Sequence, residues 1–302
     1  MVAAGITVLL WASAFVVIRH VGAEVSPGAL SLGRLLVASL LLGAVVFARP
    51  RRWPGRRDWR SWRGLIVCGL LWFGVYNLAL NEAEQRIDAG TAAMLVNLGP
   101  ILIAFLAGVF LGEGFPRSLA AGISISFAGV VLIGTASSTG GADAWGVVLC
   151  LVAAGAYAIG VVAQKPLLGH LTALQVTWMA CTIGLVGCLP FAPDLVRELG
   201  DARLSTAAWV VFLGAFPTAL AFTTWAFALA HTSAGKMGAT TYLVPPVTIG
   251  MSWGFLGETP AVLAIGGGAL CLVGVFVVRR GGGVRRRRAR RSAGSSGRPG
   301  PQ

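Results

Sequence analysis

The chain has 302 residues, of which 56% are hydrophobic and only 12% are charged. A soluble globular domain carries about twice that share of charge, so the composition excludes a soluble protein and predicts an all-α integral membrane protein. The net charge of +13 is concentrated in the segment 49–63 and in the tail after Val278. Both arginine clusters are predicted to bind anionic lipid headgroups rather than nucleic acid.

Apolar runs of about 20 residues, the length of a membrane-spanning helix, follow one another along the chain. Ser26-Pro27 and Thr259-Pro260 stand at the starts of two runs, where a hydroxyl side chain caps a helix and proline fits its first turn. The segments Glu82–Asp88 and Asp194–Arg203 are predicted to be loops on the outer side. We predict ten transmembrane helices, at residues 3–21, 29–48, 64–83, 89–111, 118–136, 144–164, 172–191, 206–229, 234–256 and 261–278.

The basic residues also predict the orientation of the chain. Short arginine-rich loops stay cytoplasmic, which places the segment 49–63 and the C-terminal tail on the same side. Eight predicted helices separate the two, an even number, so the N-terminus is cytoplasmic as well. The high Arg, Ala and Gly content is typical of a GC-rich bacterial genome, and we expect a multi-pass protein of the bacterial inner membrane. Residues 281–302 are predicted to be a disordered cytoplasmic tail.

An internal repeat divides the chain into two halves. A shift of 145 residues aligns positions 89–133 with 234–278 without a gap, and 11 of the 45 pairs are identical. The identical pairs include a Phe-Leu-Gly-Glu run, which apolar bias alone does not produce. We therefore predict two five-helix repeats, residues 1–138 and 139–280. Because five is odd, the second repeat is inverted relative to the first, an arrangement typical of transporters.

Several motifs resemble the paired EamA domains of the drug/metabolite transporter superfamily. They are Leu98-Gly99-Pro100 followed by Phe110-Leu111-Gly112-Glu113, the matching Leu243-Val244-Pro245 followed by Phe255-Leu256-Gly257-Glu258, the stretch from Trp11 to Phe15, and Arg34. The resemblance covers nearly the whole chain up to about Arg280. It implies a ten-helix basket with a central cavity that transports small metabolites such as amino acids, and we favour export. It also implies substrate contacts at Trp11, Ser13 and Phe15.

Prolines and polar residues at membrane depth are the remaining candidates for a substrate site. Proline removes a backbone donor and interrupts a helix, and interrupted helices often line transport sites. Because Pro100 and Pro245 stand at equivalent positions of the two repeats, we favour a cavity there over a packed kink. The other candidates, Asn77, Asn97, Tyr157, Gln164, Trp225 and Tyr242, are predicted to line a mildly polar aromatic chamber. Each of them could instead form an interhelical hydrogen bond.

Charged residues within or beside the predicted helices are assigned structural or gating roles. Arg34 lies inside a predicted helix, where it either reaches the headgroups or binds an anionic group of the substrate. Glu113 and Glu258 end two helices, where a carboxylate opposes the helix dipole, so we expect them to cap the next helix or to pair with a basic residue. No Asp or Glu lies at the centre of a predicted helix, which leaves proton coupling and facilitated diffusion both open.

The sequence lacks the motifs of other functional classes. His20, His170 and His231 lie near different helix ends, and no catalytic triad, metal motif or P-loop is present. We therefore predict no catalytic residues, no metal and no cofactor, and we interpret the five cysteines as packing residues. A membrane-embedded enzyme and a non-transporting receptor or assembly factor are the alternatives. Glycines 122, 129, 267 and 274 permit close packing between the halves, or alternatively a homodimer.

Overall fold

The computed structural model describes residues 2–48, 58–112, 121–132 and 143–277, apart from positions 123, 126, 130, 259, 264, 271 and 275. Within this part of the chain every regular element is a helix and none is a strand. Seven of the helices are long and apolar enough to cross a membrane. The structure thereby confirms the all-helical membrane fold that the composition predicts.

The long helices follow the predicted apolar runs. They are α1 (Val2–Val21), α2 (Pro27–Phe47), α3 (Trp59–Ala83), α4 (Ala89–Phe110), α5 (Ala144–Leu167), α6 (Ala173–Asp201) and α7 (Leu204–Ala230). A further helix, α8, covers residues 234–256 in three consecutive segments, Ala234–Gly238, Ala239–Leu243 and Val244–Leu256. Helical residues also occur between 121 and 132 and between 262 and 277. The total of ten membrane-spanning helices stays a prediction.

The starts of the helices show the expected capping. Ser26 accepts a hydrogen bond from the amide of Ala29, and Pro27 occupies the first turn of α2. Thr172 and Gln175 form a reciprocal capping box at the start of α6. The predicted cap at Thr259 lies outside the described residues.

The loop predicted at Asp194–Arg203 is wrong for most of its length. An α-helix runs from Ala192 to Asp201 and extends α6. Leu195 in this helix is buried near Gly33 of α2, whereas Arg197 forms an exposed ion pair with Asp194. The helix is therefore amphipathic. Its charged residues lower the mean hydropathy, the property by which a membrane span is recognised, but they do not interrupt the helical periodicity.

Four helices are interrupted within their apolar runs. The interruptions are π-helical turns at Cys68–Val75 in α3 and Gly214–Leu220 in α7, a break at Asn97-Leu98 in α4 and a 3-10 turn at Ala239–Leu243 in α8. Pro100 and Pro245 each occupy the first turn of the segment that follows a break, where the missing amide is not required. The interruptions predicted from these two prolines are confirmed.

The glycines of the Phe-Leu-Gly-Glu runs follow the ends of α4 and α8. Gly112 and Gly257 both have a φ of 66°, a left-handed conformation that glycine adopts without strain and that commonly ends a helix. The run is therefore a helix stop in both places. Glu113, the segment 49–57 and the tail after residue 277 lie outside the described residues, and the predictions about them stay predictions.

The helices surround one central hydrophobic core. α2 packs on α6, α3 packs on both α5 and α6, and α1 packs on both α7 and α8. Glycines allow the closest of these approaches: a methyl group on Gly160 of α5 would lie 2.5 Å from Cβ of Trp72 in α3. This packing brings α1, α3, α4, α5 and α8 together around the middle of the bundle.

Candidate functional site

A small cavity lies in the middle of the bundle. Its volume is about 30 Å³, which holds about two water molecules and is far below the roughly 300 Å³ of a small-molecule site. It is lined by Trp11, Phe15, Trp72, Tyr76, Ala93, Val96, Asn97, Tyr157, Thr241 and Val244. An organic substrate can therefore enter only when the surrounding helices move apart.

Trp11 is the centre of an aromatic cluster that borders this cavity. Its ring centroid lies 4.9 Å from that of Trp225, 5.3 Å from that of Phe222 and 6.2 Å from that of Tyr157. The ring of Trp72 completes the cluster, 5.0 Å from Phe222 and 5.2 Å from Tyr157. The rings meet in tilted or edge-to-face arrangements, which their quadrupoles favour. The exposed part of such a cluster attracts cations to its ring faces.

Two indole groups of the aromatic cluster retain hydrogen-bonding capacity. The Nε1 atoms of Trp11 and Trp225 are buried and have no hydrogen-bond partner among the described residues. A buried donor left unpaired costs about 1–3 kcal/mol, so both N–H groups favour an acceptor such as a carboxylate. No group of three His, Cys, Asp or Glu side chains in the described part of the chain could hold a metal ion. The chemistry available here is that of aromatic faces, indole N–H groups and amides.

The two broken helices contact each other at the cavity. Asn97, at the break in α4, donates from Nδ2 to the carbonyl of Thr241 in the 3-10 turn of α8, at 3.0 Å. The hydroxyl of Thr241 donates to the carbonyl of Gly238 at 2.7 Å and also lies 3.4 Å from Oδ1 of Asn97. Both side chains are almost fully buried. The contacts between Asn97 and Thr241 tie together the two halves of the chain, and a movement that separates α4 from α8 must replace them.

Tyr157 of α5 packs directly on the break in α4. A methyl group on Gly99 would lie 2.4 Å from Cδ1 of the Tyr157 ring, so the ring occupies the space that glycine leaves. The same ring lies 6.3 Å from that of Tyr76. Gly99 therefore helps to set the width of the cavity.

Five of the predicted site residues lie at or beside the cavity. Trp11, Phe15, Asn97 and Tyr157 line it, and Trp225 belongs to the aromatic cluster. Trp11 and Phe15 are one helical turn apart and share a face of α1. Ser13, between them, is not among the lining residues, and its hydroxyl donates to the carbonyl of Leu10 at 2.8 Å.

The other predicted contacts lie away from the lining residues or are not described. Asn77 is buried and donates to the carbonyl of Phe73 at 2.7 Å. Gln164 is also fully buried, and neither amide atom has a partner among the described residues. Pro100 and Pro245 are buried beside the breaks in α4 and α8. The side chain of Tyr242 is outside the described part. Substrate contact by any of these residues stays a prediction.

Several lining residues are not among the sequence-based candidates. Trp72 and Tyr76 are one turn apart in α3, and Thr241 directly precedes Tyr242. The sequence did carry a signal for these residues. Trp72 and Tyr76 are an aromatic pair at helical spacing beside Asn77, and Thr241 is a hydroxyl residue at membrane depth beside the predicted contact Tyr242. Phe222 has no comparable signal, because an apolar aromatic in an apolar run is as often lipid-facing as buried.

The charged residues with predicted structural roles connect different helices. Arg34 is 2% exposed and donates from Nε to the hydroxyl of Thr218 in α7 at 3.0 Å, so it lies inside the bundle and does not reach the headgroups. Glu258, just after α8, pairs with Nε of Arg19 in α1 at 2.9 Å. Of the two alternatives expected for Glu258, the structure shows the ion pair with a basic residue, while its gating role stays a prediction and Glu113 lies outside the described residues.

Comparison with known proteins finds relatives along almost the whole chain. The profile of the EamA-like transporter family matches residues 1–135 and again residues 144–280. A "probable terminal-alkyne amino-acid exporter" of Streptantibioticus cattleyicolor is 37% identical over 94% of each chain. A "probable amino-acid metabolite efflux pump" of Salmonella typhimurium is 24% identical over 93% of this chain and 95% of its own. One crystal structure, 20% identical in sequence, shares the fold with a TM-score of 0.63 over 92% of this chain and 95% of that chain.

These matches agree with the helical membrane fold and with the motifs around Pro100 and Pro245. The family profile covers both halves of the chain, and the relatives are similar over nearly their full length. The chain therefore belongs to the EamA-like transporter family, and it is a multi-pass membrane transporter of small metabolites.

Proposed function

We propose that the protein exports small amino-acid-like metabolites with apolar or unsaturated side chains, and that the substrate binds in the central cavity. The observation that carries this proposal is the aromatic cluster around Trp11, with its two unpaired indole N–H groups, beside the contact between Asn97 and Thr241. Relatives named as exporters of a terminal-alkyne amino acid and of amino-acid metabolites support the direction and the substrate class.

Each part of a zwitterionic amino acid has a suitable group in the cavity or in the aromatic cluster beside it. An ammonium group over a tryptophan face gains about 0.5–2 kcal/mol. A carboxylate can accept from the unpaired Nε1 atoms of Trp11 and Trp225. The apolar residues Phe15, Val96 and Val244 line the remaining wall and suit a hydrocarbon side chain.

We also propose that the fold consists of ten membrane-spanning helices in two inverted repeats. Local features that recur 145 residues apart support this. The π-helical turns of α3 and α7, at Cys68–Val75 and Gly214–Leu220, occupy equivalent positions. Gly112 and Gly257 end equivalent helices with the same φ. The family profile also matches each half separately.

A pair of charge-assisted hydrogen bonds follows the same repeat. Arg19 near the end of α1 donates to the backbone carbonyl of Glu84 at 2.7 Å, and Lys165 near the end of α5 donates to that of Leu229 at 2.6 Å. Glu84 and Leu229 are 145 residues apart. In an inverted arrangement these bonds lie at opposite ends of the bundle, and each connects two helices of the same half.

We also propose that both termini lie in the cytoplasm of a bacterium, and contacts between helix ends agree with the sides that this topology assigns to them. Arg86 after α3 pairs with Asp143 before α5 at 2.6 Å, and the proposed topology places both outside. Ser61 near the start of α3 bonds to His170 after α5 at 2.6 Å, and the topology places both inside. With both termini in the cytoplasm, the chain crosses the membrane an even number of times, which agrees with the distribution of the arginines.

Alternating access gives the interrupted helices their role. The cavity of about 30 Å³ is too small for an amino acid, so transport requires conformations in which it widens and opens to either side. The breaks in α4 and α8 lack continuous helical hydrogen bonding and are natural hinges. The Asn97–Thr241 bonds cross the cavity between these hinges, where a polar substrate can exchange for them.

Flux measurements in proteoliposomes test the proposed function. Wild-type protein should release a labelled amino acid from a panel, including one with a terminal alkyne, faster than empty liposomes do. Asn97→Ala and Trp11→Phe should reduce that flux without loss of folded protein, since each removes a hydrogen-bonding group of the cavity. Trp209→Phe is the matched control, because Trp209 lies outside the cavity lining and is 39% exposed. Wild-type flux equal to that of empty liposomes across the panel overturns the proposal.

A further inference from the structure

Glu84 and Glu82 lie two residues apart at the end of α3, yet their environments are opposite. Glu82 is partly exposed and accepts two hydrogen bonds from Arg86, at 2.6 and 2.9 Å. Glu84, the first residue after α3, is 1% exposed, and neither carboxylate oxygen has a hydrogen-bond partner among the described residues. An ionised carboxylate without partners is far more costly to bury than its protonated form.

The nearest cation does not bind the Glu84 carboxylate. Arg19 donates from Nη1 to the backbone carbonyl of Glu84 at 2.7 Å, while its Nε pairs with Glu258 at 2.9 Å. The second oxygen of Glu258 is also buried, with no hydrogen-bond partner in the part of the chain that the structure describes. One guanidinium group therefore lies between two carboxyl groups and neutralises only one of them.

The other ionisable groups that act on Glu84 leave the cluster short of positive charge. They are Arg34 of α2, Tyr76 of α3, Asp88 before α4 and Cys150 of α5, in addition to Arg19 and Glu258. Arg34 directs its Nε to Thr218, and Asp88 binds the hydroxyl of Thr91. Burial raises the pKa of the Glu84 carboxyl well above its usual range; Arg19 and Arg34 lower this pKa, and Glu258 and Asp88 raise it.

Tyr76 connects this charge cluster to the substrate cavity. Its ring lines the cavity, and its phenol lies within the electrostatic range of both Arg34 and Glu84. A change in the charge of Glu84 therefore changes the electrostatic potential at the cavity wall. A movement of α8 that carries Glu258 away changes the electrostatic potential at Glu84. These two effects link proton binding, the contact between α1 and α8, and the substrate site.

We propose that Glu84 is the proton-binding site of this transporter and that it is protonated in the closed conformation. When α8 moves away, the guanidinium of Arg19 loses Glu258 and can pair with Glu84. In that state Glu84 releases its proton and becomes a carboxylate. Glu84 therefore binds a proton in the closed conformation and releases it when α8 separates from α1, so that proton binding is coupled to the conformational change that carries the substrate. This coupling rests on the proposed export function, whereas the protonation of Glu84 does not.

Infrared spectroscopy of the purified full-length protein tests the protonation directly. At neutral pH the wild type should show the C=O stretching band of a protonated carboxylic acid. The band should be lost in Glu84→Gln and kept in Glu82→Gln, the control two residues away. A wild-type protein without the band, or a Glu84→Gln variant that retains it, overturns the proposal. If Glu84→Gln does not fold, disappearance of the wild-type band only at strongly alkaline pH supports it, and disappearance near the pH of an exposed carboxyl overturns it.

A transport experiment tests the coupling and separates it from the proposed function. With one proton per substrate and the membrane potential held at zero, a gradient of one pH unit sustains a substrate ratio of about tenfold across proteoliposomes, since the two free energies are equal. Wild type and Glu82→Gln should reach this ratio, and Glu84→Gln should reach a ratio of one while it still exchanges substrate. A wild type that transports but ignores the pH gradient overturns the coupling alone. If the wild type moves no substrate, the export function fails, and the infrared result still decides whether Glu84 binds a proton.

Discussion

Replacement of Gly99 by alanine tests how tightly Tyr157 packs on the broken helix. The new methyl group would lie 2.4 Å from Cδ1 and 2.6 Å from Cε1 of Tyr157, so the ring must shift by about 1 Å to reach an ordinary contact. Overpacking of this kind costs about 1–3 kcal/mol. Gly99 is the first residue of its helical segment, where the higher helix propensity of alanine adds little stability. We therefore expect a net loss of stability and a lower flux.

Gly155→Ala is the matched control for this experiment. Gly155 lies within α5 and has nothing within 4 Å of the added methyl group, so alanine should stabilise the helix by about 0.5–1 kcal/mol. Thermal unfolding in detergent should therefore move in opposite directions for the two variants. In a Tyr157→Ala background, Gly99→Ala should no longer destabilise, because the ring that it displaces is gone. Equal stabilisation by both alanines in the wild-type background would refute the packing argument.

Three further predictions concern the bonds between helices. Arg19→Gln should lower the unfolding free energy by about 1 kcal/mol or less, because the Arg19–Glu258 pair is more than a quarter exposed; the exchanged pair Arg19→Glu with Glu258→Arg should recover part of this in the same thermal assay. Thr241→Val should keep the shape of the cavity wall but lose the hydroxyl contacts with Gly238 and Asn97, and substrate exchange should slow more than the melting temperature falls. Burial raises the folded-state pKa of Glu84 well above 4.5. The contribution of Glu84 to stability should therefore fall as the pH rises above about 5, and Glu84→Gln should show a flatter pH dependence of melting than Glu82→Gln; identical slopes would contradict this.

The bounds of most helices could be predicted because hydropathy alone determines them. The interruptions at Pro100 and Pro245 were predictable too, since proline acts through its own covalent structure. The π-helical turn at Cys68–Val75 was not, because no proline or charge marks it. The helix at Ala192–Asp201 was missed because its stability comes from one buried face rather than from its mean hydropathy.

The candidate site was predictable only where a residue type stands out from an apolar background. Asn97 and Tyr157 met that criterion and line the cavity, whereas Ser13 met it and does not. The burial of Glu84 could not be predicted, because its position at the end of a helix does not indicate that Arg19 and Glu258 pack beside it. That arrangement depends on contacts between residues far apart in the chain.

Access to a cysteine in the cavity tests the central claim most directly. Thr241 lines the cavity and is 5% exposed, and Thr241→Cys in a background without the native cysteines can be probed with a membrane-impermeant thiol reagent. Alternating access to this cavity predicts slow labelling from either side, in intact cells and in inside-out vesicles, and protection by the transported amino acid from both sides. Labelling from one side only, or labelling that no transported substrate reduces, would contradict the account.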